Sequence, residues 1–158
     1  MTKMIEGVSI SPLPQFFDER GKVMRMLRED DVNFERFGEI YFSCTYPGVV
    51  KAWHIHSEMQ LNYACISGIV KVVLFDRREG SKTHGMFNEF ILSPENYFLL
   101  TVPSKIWNGF KAIGTEMAIV ANCATIAHRA DEISRLPFDT SEIHRYLKKV
   151  DGWDVKKK

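Results

Sequence analysis

The feature that most constrains the fold is a run of short apolar segments, each ended by a turn, between residues 40 and 123. Segments rich in Val, Ile, Phe and Tyr are typical of strands, and breaks such as Pro47-Gly48 and Ser93-Pro94 suit the turns between them. Short strands at this spacing predict a β-sandwich or a β-barrel. The predicted strands are residues 40–46, 50–56, 62–66, 69–75, 87–92, 97–102 and 117–123.

Helical patterns are scarce in the chain. Residues 29–37 form the most helix-like stretch of the first half. A short C-terminal helix is predicted after Thr140, because a capping residue there is followed by Ile143, Tyr146 and Leu147 at helical spacing. The sequence therefore predicts an all-β domain with a few short peripheral helices.

Two turns are informative about connectivity. The segment from Asp18 to Gly21 predicts a turn, followed by a strand over residues 22–27. Ser67-Gly68 stands between two apolar runs and predicts a tight hairpin.

Length and charge exclude several classes of protein. A chain of 158 residues fits one domain, which we place at residues 1–158. The 21 basic and 20 acidic residues give a net charge of +1, too little to hold a nucleic acid by bulk electrostatics. The sequence has neither an apolar signal segment nor an apolar run of about 18 residues, so we expect no membrane partner.

The cysteines indicate the compartment. Cys44, Cys65 and Cys123 are odd in number, far apart and each placed in an apolar run, where a reduced thiol packs as a small hydrophobe. We therefore expect a protein of the reducing cytoplasm.

Residues 50–56 carry the first sign of chemistry. Because side chains alternate along a strand, His54 and His56 are predicted to share one face, and Lys51, Trp53 and Ile55 the other. Two imidazoles two residues apart on one face are a common start of a metal site. The alternative is a pair of structural histidines held by hydrogen bonds.

The metal-binding pattern of cupin barrels is only half present. Gly48, His54, His56 and Gly68 fall close to the first cupin motif, but its glutamate position holds Gln60 or Leu61. The histidine of the second motif is replaced by Asn108. Two neutral histidines without an anionic ligand bind a divalent metal weakly, so we predict no metal and no cofactor, with Glu58 as the alternative carboxylate.

The chain resembles the dTDP-4-dehydrorhamnose 3,5-epimerase family over roughly residues 16 to 125. Family members are metal-free cupin-type double-stranded β-helices, also called jelly-roll barrels, that act on nucleotide-linked 4-keto sugars. The matching segments, in family order and spacing, are residues 18–21, 48–54, 67–78, 81–85, 92–96 and 102–110, read from the sequence as DERG, GVVKAWH, SGIVKVVLFDRR, SKTHG, LSPEN and VPSKIWNGF.

The resemblance implies roles for particular residues. His54 matches the general base that takes the acidic proton beside the 4-keto group, a task suited to imidazole. Arg20 matches an arginine that grips the pyrophosphate, and Lys51 replaces a second one. Asp76 matches an aspartate of the site region, although a strand-end aspartate also commonly completes a turn. Tyr63 is the geometrically allowed proton donor.

Other positions complete the predicted site or depart from the family. We expect His56, Gln60 and Asn108 to contact the substrate. The family's site lysine corresponds to Leu61 and its acidic tyrosine to Ala121, and the C-terminal segment that orients the base is missing. His56 and His128 are therefore alternative proton donors to Tyr63.

Three functions follow from these observations. The first is a metal-independent epimerase of a nucleotide-activated 4-keto sugar in polysaccharide or lipopolysaccharide biosynthesis. The second is a cupin that binds a sugar nucleotide without turnover, and the third is a metal-dependent cupin enzyme. The resemblance also implies a homodimer in which the N-terminal strands complete the partner's site.

Overall fold

The computed structural model describes residues 3–138 together with Thr140, Ser141 and Ile143. In this part of the chain twelve strands are seen. They are β1 (Ser9–Pro12), β2 (Gln15–Asp18), β3 (Gly21–Met24), β4 (Glu39–Thr45), β5 (Val50–His56), β6 (Leu61–Ser67), β7 (Val70–Asp76), β8 (Phe87–Leu92), β9 (Phe98–Val102), β10 (Ile106–Ala112), β11 (Ala118–Ala124) and β12 (Ile133–Arg135).

The strands form two five-stranded antiparallel sheets and one small hairpin. The first sheet has the order β1-β9-β6-β11-β4 and the second the order β12-β5-β10-β7-β8, while β2 and β3 pair separately. Apart from β7 and β8, the neighbours within each sheet are not consecutive in sequence, which is the arrangement of a jelly roll. The all-β jelly-roll prediction is confirmed, and the single domain over 1–158 stays a prediction.

Seven strands predicted from the sequence all occur, with bounds within one residue of those expected. The strand predicted over residues 22–27 is seen as the shorter β3, Gly21–Met24, and the sequence analysis missed β1, β2 and β12. It also missed β10, which contains Asn108 and Gly109. Both residue types are depleted in strands. They are accommodated here because β10 lies at the centre of the second sheet, between β5 and β7, where ladder hydrogen bonds hold it on both sides.

The helix predicted over residues 29–37 is wrong. This segment forms turns, in which the backbone N–H of Phe34 donates to the carbonyl of Asp31 and the N–H of Arg28 donates to the Asp31 carboxylate. Aspartate side chains compete for backbone donors in this way and favour turns over helix. The helix predicted after Thr140 runs into residues outside those described, and the described residues include no helix long and apolar enough to cross a membrane.

The hairpin predicted at Ser67-Gly68 is also wrong. Strand β6 belongs to the first sheet and β7 to the second, so this turn carries the chain from one sheet to the other. Gly68 has φ +69°, and a Cβ there would lie 2.8 Å from Ala118 Cα. In contrast, the turn from Asp18 to Gly21 is confirmed and joins β2 to β3.

Alternation along the central strands divides the core in two. Val72 and Leu74 of β7 pack between the sheets, whereas Val73 and Phe75 point outward and pack near Trp53 of β5. The outer layer is covered by the C-terminal segment, since Leu136 packs against this cluster. The second sheet is therefore buried on both faces, which holds β5 rigidly in place.

Candidate active site

A cavity of about 360 Å³ opens between the two sheets. This volume is within the range of small-molecule sites. Both sheets supply its walls. The first sheet contributes Tyr41, Ser43, Tyr63, Val120 and Asn122, and the second contributes Lys51, Ala52, Trp53, His54, His56, Phe110, Ile133 and Arg135.

A bulge in β5 brings Lys51 and His54 to the same cavity. Strict alternation would place these residues on opposite faces. The pairing of β5 with β10 shifts register, because Asn108 pairs with His54 while Phe110 pairs with Lys51. The extra residue in β5 turns Lys51 toward the cavity, where Nζ donates to Ser43 Oγ at 3.2 Å and to the Cys44 carbonyl at 2.5 Å.

His54 is held by a chain of side-chain hydrogen bonds at the floor of the cavity. Its Nε2 lies 3.2 Å from Tyr63 Oη, and the Tyr63 hydroxyl donates to Asn108 Oδ1 at 3.0 Å. The Asn108 amide donates to the carbonyls of His54 and Ile106. Since the tyrosine proton goes to Asn108, Nε2 of His54 carries the hydrogen and Nδ1 is the basic nitrogen.

The surroundings of His54 favour its neutral form. Burial, together with the charges of His56 and Arg135, lowers its pKa from 6.5 to about 3. A neutral imidazole is the form required of a general base. Occupation of the cavity by an anion would offset the charge of Arg135 and make His54 more basic.

His56 is fixed by a buried carboxylate. Nδ1 of His56 donates to Glu132 Oε2 at 2.7 Å, and Glu132 is 2% exposed. Burial alone would raise the pKa of Glu132, but hydrogen bonds from His56 and from the backbone N–H groups of Met59 and Glu58 hold it below its usual value. An ionised Glu132 therefore fixes the His56 ring with Nε2 as its remaining polar atom.

A second cavity of about 350 Å³ adjoins the first. The two cavities share Tyr41, His56, Ile133 and Arg135, and the second also includes His128. Because the two cavities share a wall formed by β5 and β12, together they offer more space than a single hexose needs. Arg135 stands at the junction, which suits a cation that contacts the linking phosphates of a larger ligand.

The structure places some of the predicted site residues at the cavity and others away from it. His54, His56, Tyr63 and Lys51 line the cavity. Asn108 is fully buried behind Tyr63 and positions it rather than facing a ligand.

Gln60 does not line either cavity. Its backbone pairs with Thr125 through two hydrogen bonds, Gln60 N to Thr125 Oγ1 and Thr125 N to the Gln60 carbonyl. The prediction that Gln60 contacts the substrate is not supported by its position.

Asp76 completes a turn and does not reach the cavity. Its carboxylate accepts hydrogen bonds from the side chains of Arg78, Ser81 and Thr83. Burial acts to raise the pKa of Asp76, but these donors hold it well below its usual range. These surroundings match the alternative in which Asp76 is a strand-end residue that completes a turn.

Arg20 lies in the β2–β3 turn and is far more exposed than the cavity residues. Its guanidinium pairs with Asp18, and 83% of its side chain is exposed. Arg20 does not line the cavity of its own chain. Its predicted role in gripping phosphate therefore requires the hairpin of a partner subunit.

Sequence reasoning missed Tyr41, Glu132 and Arg135. Tyr41 was included only in a predicted strand, and alternation does not say which face is the cavity. Glu132 and Arg135 follow the last predicted strand in a polar segment without a periodic pattern. No sequence signal marks them, since their roles depend on β12 pairing with β5.

A metal-dependent cupin enzyme needs a set of side chains that can ligate a metal ion. Among the described residues, no group of three or more His, Cys, Asp or Glu side chains is placed to hold a metal ion. Glu58, the alternative carboxylate, instead pairs with Arg129 at 2.9 Å.

An all-β jelly roll with a histidine-bearing cavity between its sheets is typical of cupins, and comparison with known proteins narrows this class. The family model for dTDP-4-dehydrorhamnose 3,5-epimerase matches residues 2–145. The chain belongs to this family.

Relatives and solved structures agree with this membership. The probable low-salt glycan biosynthesis epimerase of Haloferax volcanii is 35% identical over 139 residues, 85% of this chain and 89% of that protein. The spore coat polysaccharide biosynthesis protein SpsL of Bacillus subtilis is 32% identical over 142 residues, 89% of this chain and 94% of that protein. The crystal structure of a dTDP sugar isomerase from Desulfovibrio desulfuricans is 46% identical with a TM-score of 0.84, covering 86% of this chain and 87% of that one.

Proposed function

We propose that this protein is a metal-independent epimerase of a nucleotide-activated 4-keto sugar in polysaccharide or lipopolysaccharide biosynthesis. The observation that carries the proposal is a neutral His54 at the floor of a cavity that also presents two cations, Lys51 and Arg135. The reaction needs a base close to cations that bind the phosphates of the substrate.

The chemistry begins at Nδ1 of His54. A carbonyl at C4 of the sugar acidifies the hydrogen on the adjacent carbon, and Nδ1 accepts that proton while the electron pair forms an enolate. Tyr63 and Asn108 hold the ring in the tautomer that leaves Nδ1 free. Return of a proton to the other face of the same carbon inverts its configuration.

Binding of the nucleotide part rests on the cations of the second sheet. Lys51 replaces the arginine of the family and supplies a point charge for phosphate. Arg135 supplies the planar, bidentate donor that Lys51 lacks. No carboxylate lies within salt-bridge distance of Arg135 among the described residues, so its guanidinium is available to an anion.

The relatives support a role in surface polysaccharide synthesis. The Haloferax protein is named as a glycan biosynthesis epimerase and the Bacillus protein as a spore coat polysaccharide biosynthesis protein. A Legionella pneumophila 3,5-epimerase, 26% identical with a TM-score of 0.76 over 85% of this chain and 74% of that one, was solved with dTDP-4-keto-L-rhamnose. The nucleotide sugar is accordingly our proposed partner.

A homodimer and a cytoplasmic location complete the proposal. The β2–β3 hairpin exposes Phe16 and Phe17 and carries Arg20, which fits a hairpin that reaches a second subunit. Cys44, Cys65 and Cys123 are all free thiols, as expected in a reducing compartment.

The test is proton exchange. Purified protein is incubated in deuterium oxide with 4-keto-6-deoxy sugar nucleotides that differ in base, and products are analysed by NMR. We expect deuterium at C3 or C5 together with inverted product, and neither with His54→Gln. Absence of deuterium from both carbons with every base would contradict the proposal.

One observation favours a second candidate, a cupin that binds a sugar nucleotide without turnover. Leu61 and Ala121 are buried apolar residues at 1% and 2% exposure, so neither position supplies a proton or a charge. Calorimetric binding of a sugar nucleotide without exchange, unchanged in His54→Gln, would support this candidate instead.

A further inference from the structure

An epimerase needs proton-transfer groups on two sides of the substrate. The proton leaves one face of the carbon and returns to the other, so a base on one wall requires an acid on the facing wall. His54 lies on β5 in the second sheet. His56 lies on the same strand and shares its wall, with the two ring centroids 5.8 Å apart, which leaves no room for a sugar between them.

The first sheet contributes two phenols to the described lining of the cavity, Tyr41 and Tyr63. Tyr63 is 2% exposed, and its proton is committed to Asn108 while its oxygen faces Nε2 of His54. Tyr63 therefore serves the base and has no proton to offer the facing side of a ligand.

No acceptor for the phenol proton of Tyr41 is seen among the described residues. Its oxygen accepts a hydrogen bond from Nδ2 of Asn122 at 2.9 Å. The orientation of the Asn122 amide is fixed, because its Oδ1 accepts the backbone N–H of Asn62 at 2.9 Å. Asn122 can only donate to Tyr41, so the phenol hydrogen points elsewhere, and 37% of the Tyr41 residue is exposed at the cavity.

We propose that Tyr41 is the general acid of this site, donating its phenol proton to the substrate carbon from the face opposite His54. This inference rests on the proposed function. His54 Nδ1 gains the proton of the C–H bond, the enolate forms, and its carbon then takes the Tyr41 proton. The resulting phenolate keeps its hydrogen bond from Asn122, and water returns a proton to Tyr41 and removes one from His54.

The surroundings of Tyr41 suit this task. Burial raises the pKa of its phenol, and the hydrogen bond from Asn122 partly offsets that effect. Glu39 and Glu132 act in the same direction as burial, and Arg135 acts against it. The phenol is therefore protonated at neutral pH, as an acid must be before the reaction.

The experiment separates exchange from inversion. Tyr41→Phe is compared with wild type in deuterium oxide, with Tyr46→Phe as the control because Tyr46 is 73% exposed and does not line the cavity. We expect Tyr41→Phe to lose inversion by about 100-fold while His54 still exchanges the substrate proton with retention. The control should invert at the wild-type rate.

Two outcomes would overturn the assignment. If wild type inverts and Tyr41→Phe inverts equally well, Tyr41 is not the acid, although the proposed function stands. If wild type neither exchanges nor inverts, the proposed function falls and the role of Tyr41 with it.

If the Tyr41→Phe protein fails to fold, a second variant tests the role of Tyr41. A fluorinated tyrosine at position 41 keeps the hydroxyl and makes it more acidic. We expect the alkaline limb of the inversion rate to move to lower pH. An unmoved limb would overturn the role of Tyr41, since no other group changes.

Discussion

His54 illustrates how one residue acquires its chemistry from its surroundings. A histidine in water is half protonated near pH 6.5, whereas burial and two neighbouring positive groups keep His54 neutral down to about pH 3. Tyr63 and Asn108 then decide which nitrogen is basic. The sequence identified the residue, but these contacts supply its charge state and its tautomer.

The depressed pKa of His54 predicts acid sensitivity of the fold. Between pH 6.5 and about 3 the unfolded chain binds a proton at His54 that the folded chain does not, so stability falls as pH falls through this window. Each pH unit within this window lowers the free energy of unfolding by up to about 1.4 kcal/mol, and the loss is complete at about pH 3. His54→Gln should flatten the dependence of the unfolding free energy on pH.

Urea unfolding at a series of pH values measures this effect. His84→Gln is the matched control, since His84 is exposed and outside the cavity. Its curve should follow wild type. Parallel curves for wild type and His54→Gln would show that His54 titrates normally in the folded protein.

At the scale of elements, the bulge in β5 is the feature on which the site depends. It places Lys51 beside His54, and it needs a glycine opposite, because a Cβ on Gly109 would overlap Ala52 Cβ and lie 3.0 Å from Ala52 Cα. β-Bulges commonly re-aim a side chain next to an active site. The sequence shows a glycine at position 109, but it does not show that Ala52 lies against this glycine.

Gly109→Ala should therefore destabilise the protein and disturb the site together. We expect a loss of about 1–3 kcal/mol, typical of overpacking against backbone, with weaker binding of the nucleotide sugar as Lys51 moves. Thermal unfolding and calorimetry measure the two effects. Gly114→Ala is the control, because its nearest neighbours are 3.9 Å from an added Cβ. Equal behaviour of both variants would mean that the bulge tolerates a side chain.

At the scale of the whole molecule, exposed apolar side chains concentrate at the N-terminal hairpin and the edge of the first sheet. Phe16, Phe17 and Val23 are 56%, 71% and 65% exposed on β2 and β3, and Ile40 and Phe42 are 51% and 56% exposed on the edge strand β4. Exposed apolar side chains in such groups are characteristic of interaction surfaces. Arg20 lies on the same hairpin as Phe16, Phe17 and Val23, away from its own cavity.

Light scattering should give twice the mass of the chain at micromolar concentration, and Phe17→Asp should shift the protein toward the monomer. Ile91→Asp, on the edge of the other sheet, should leave the dimer intact.

A mixture of Arg20→Ala and His54→Gln subunits should regain about a quarter of wild-type activity, because half the dimers then contain one complete site. A monomeric wild type, or no recovery on mixing, would contradict a shared site.

The sequence by itself determined seven of the strands and pointed to His54 as the candidate base. Seven strands followed from alternating apolar residues and turn residues, because both signals are local. The resemblance pointed to His54 and to the family, and the family match confirms the family. The same local reasoning gave a helix at residues 29–37 and a hairpin at Ser67-Gly68, both wrong, since local propensity cannot see competing side chains or which sheet receives the next strand.

Only the tertiary structure decided what surrounds His54. Strand β12 lies against β5 through contacts between residues far apart in sequence, and it brings Glu132 and Arg135 to the histidines. Tyr41 faces them from the other sheet, and Asp76 is withdrawn into a turn. A site formed between two sheets is defined by long-range pairing, and no local pattern along the chain encodes that pairing.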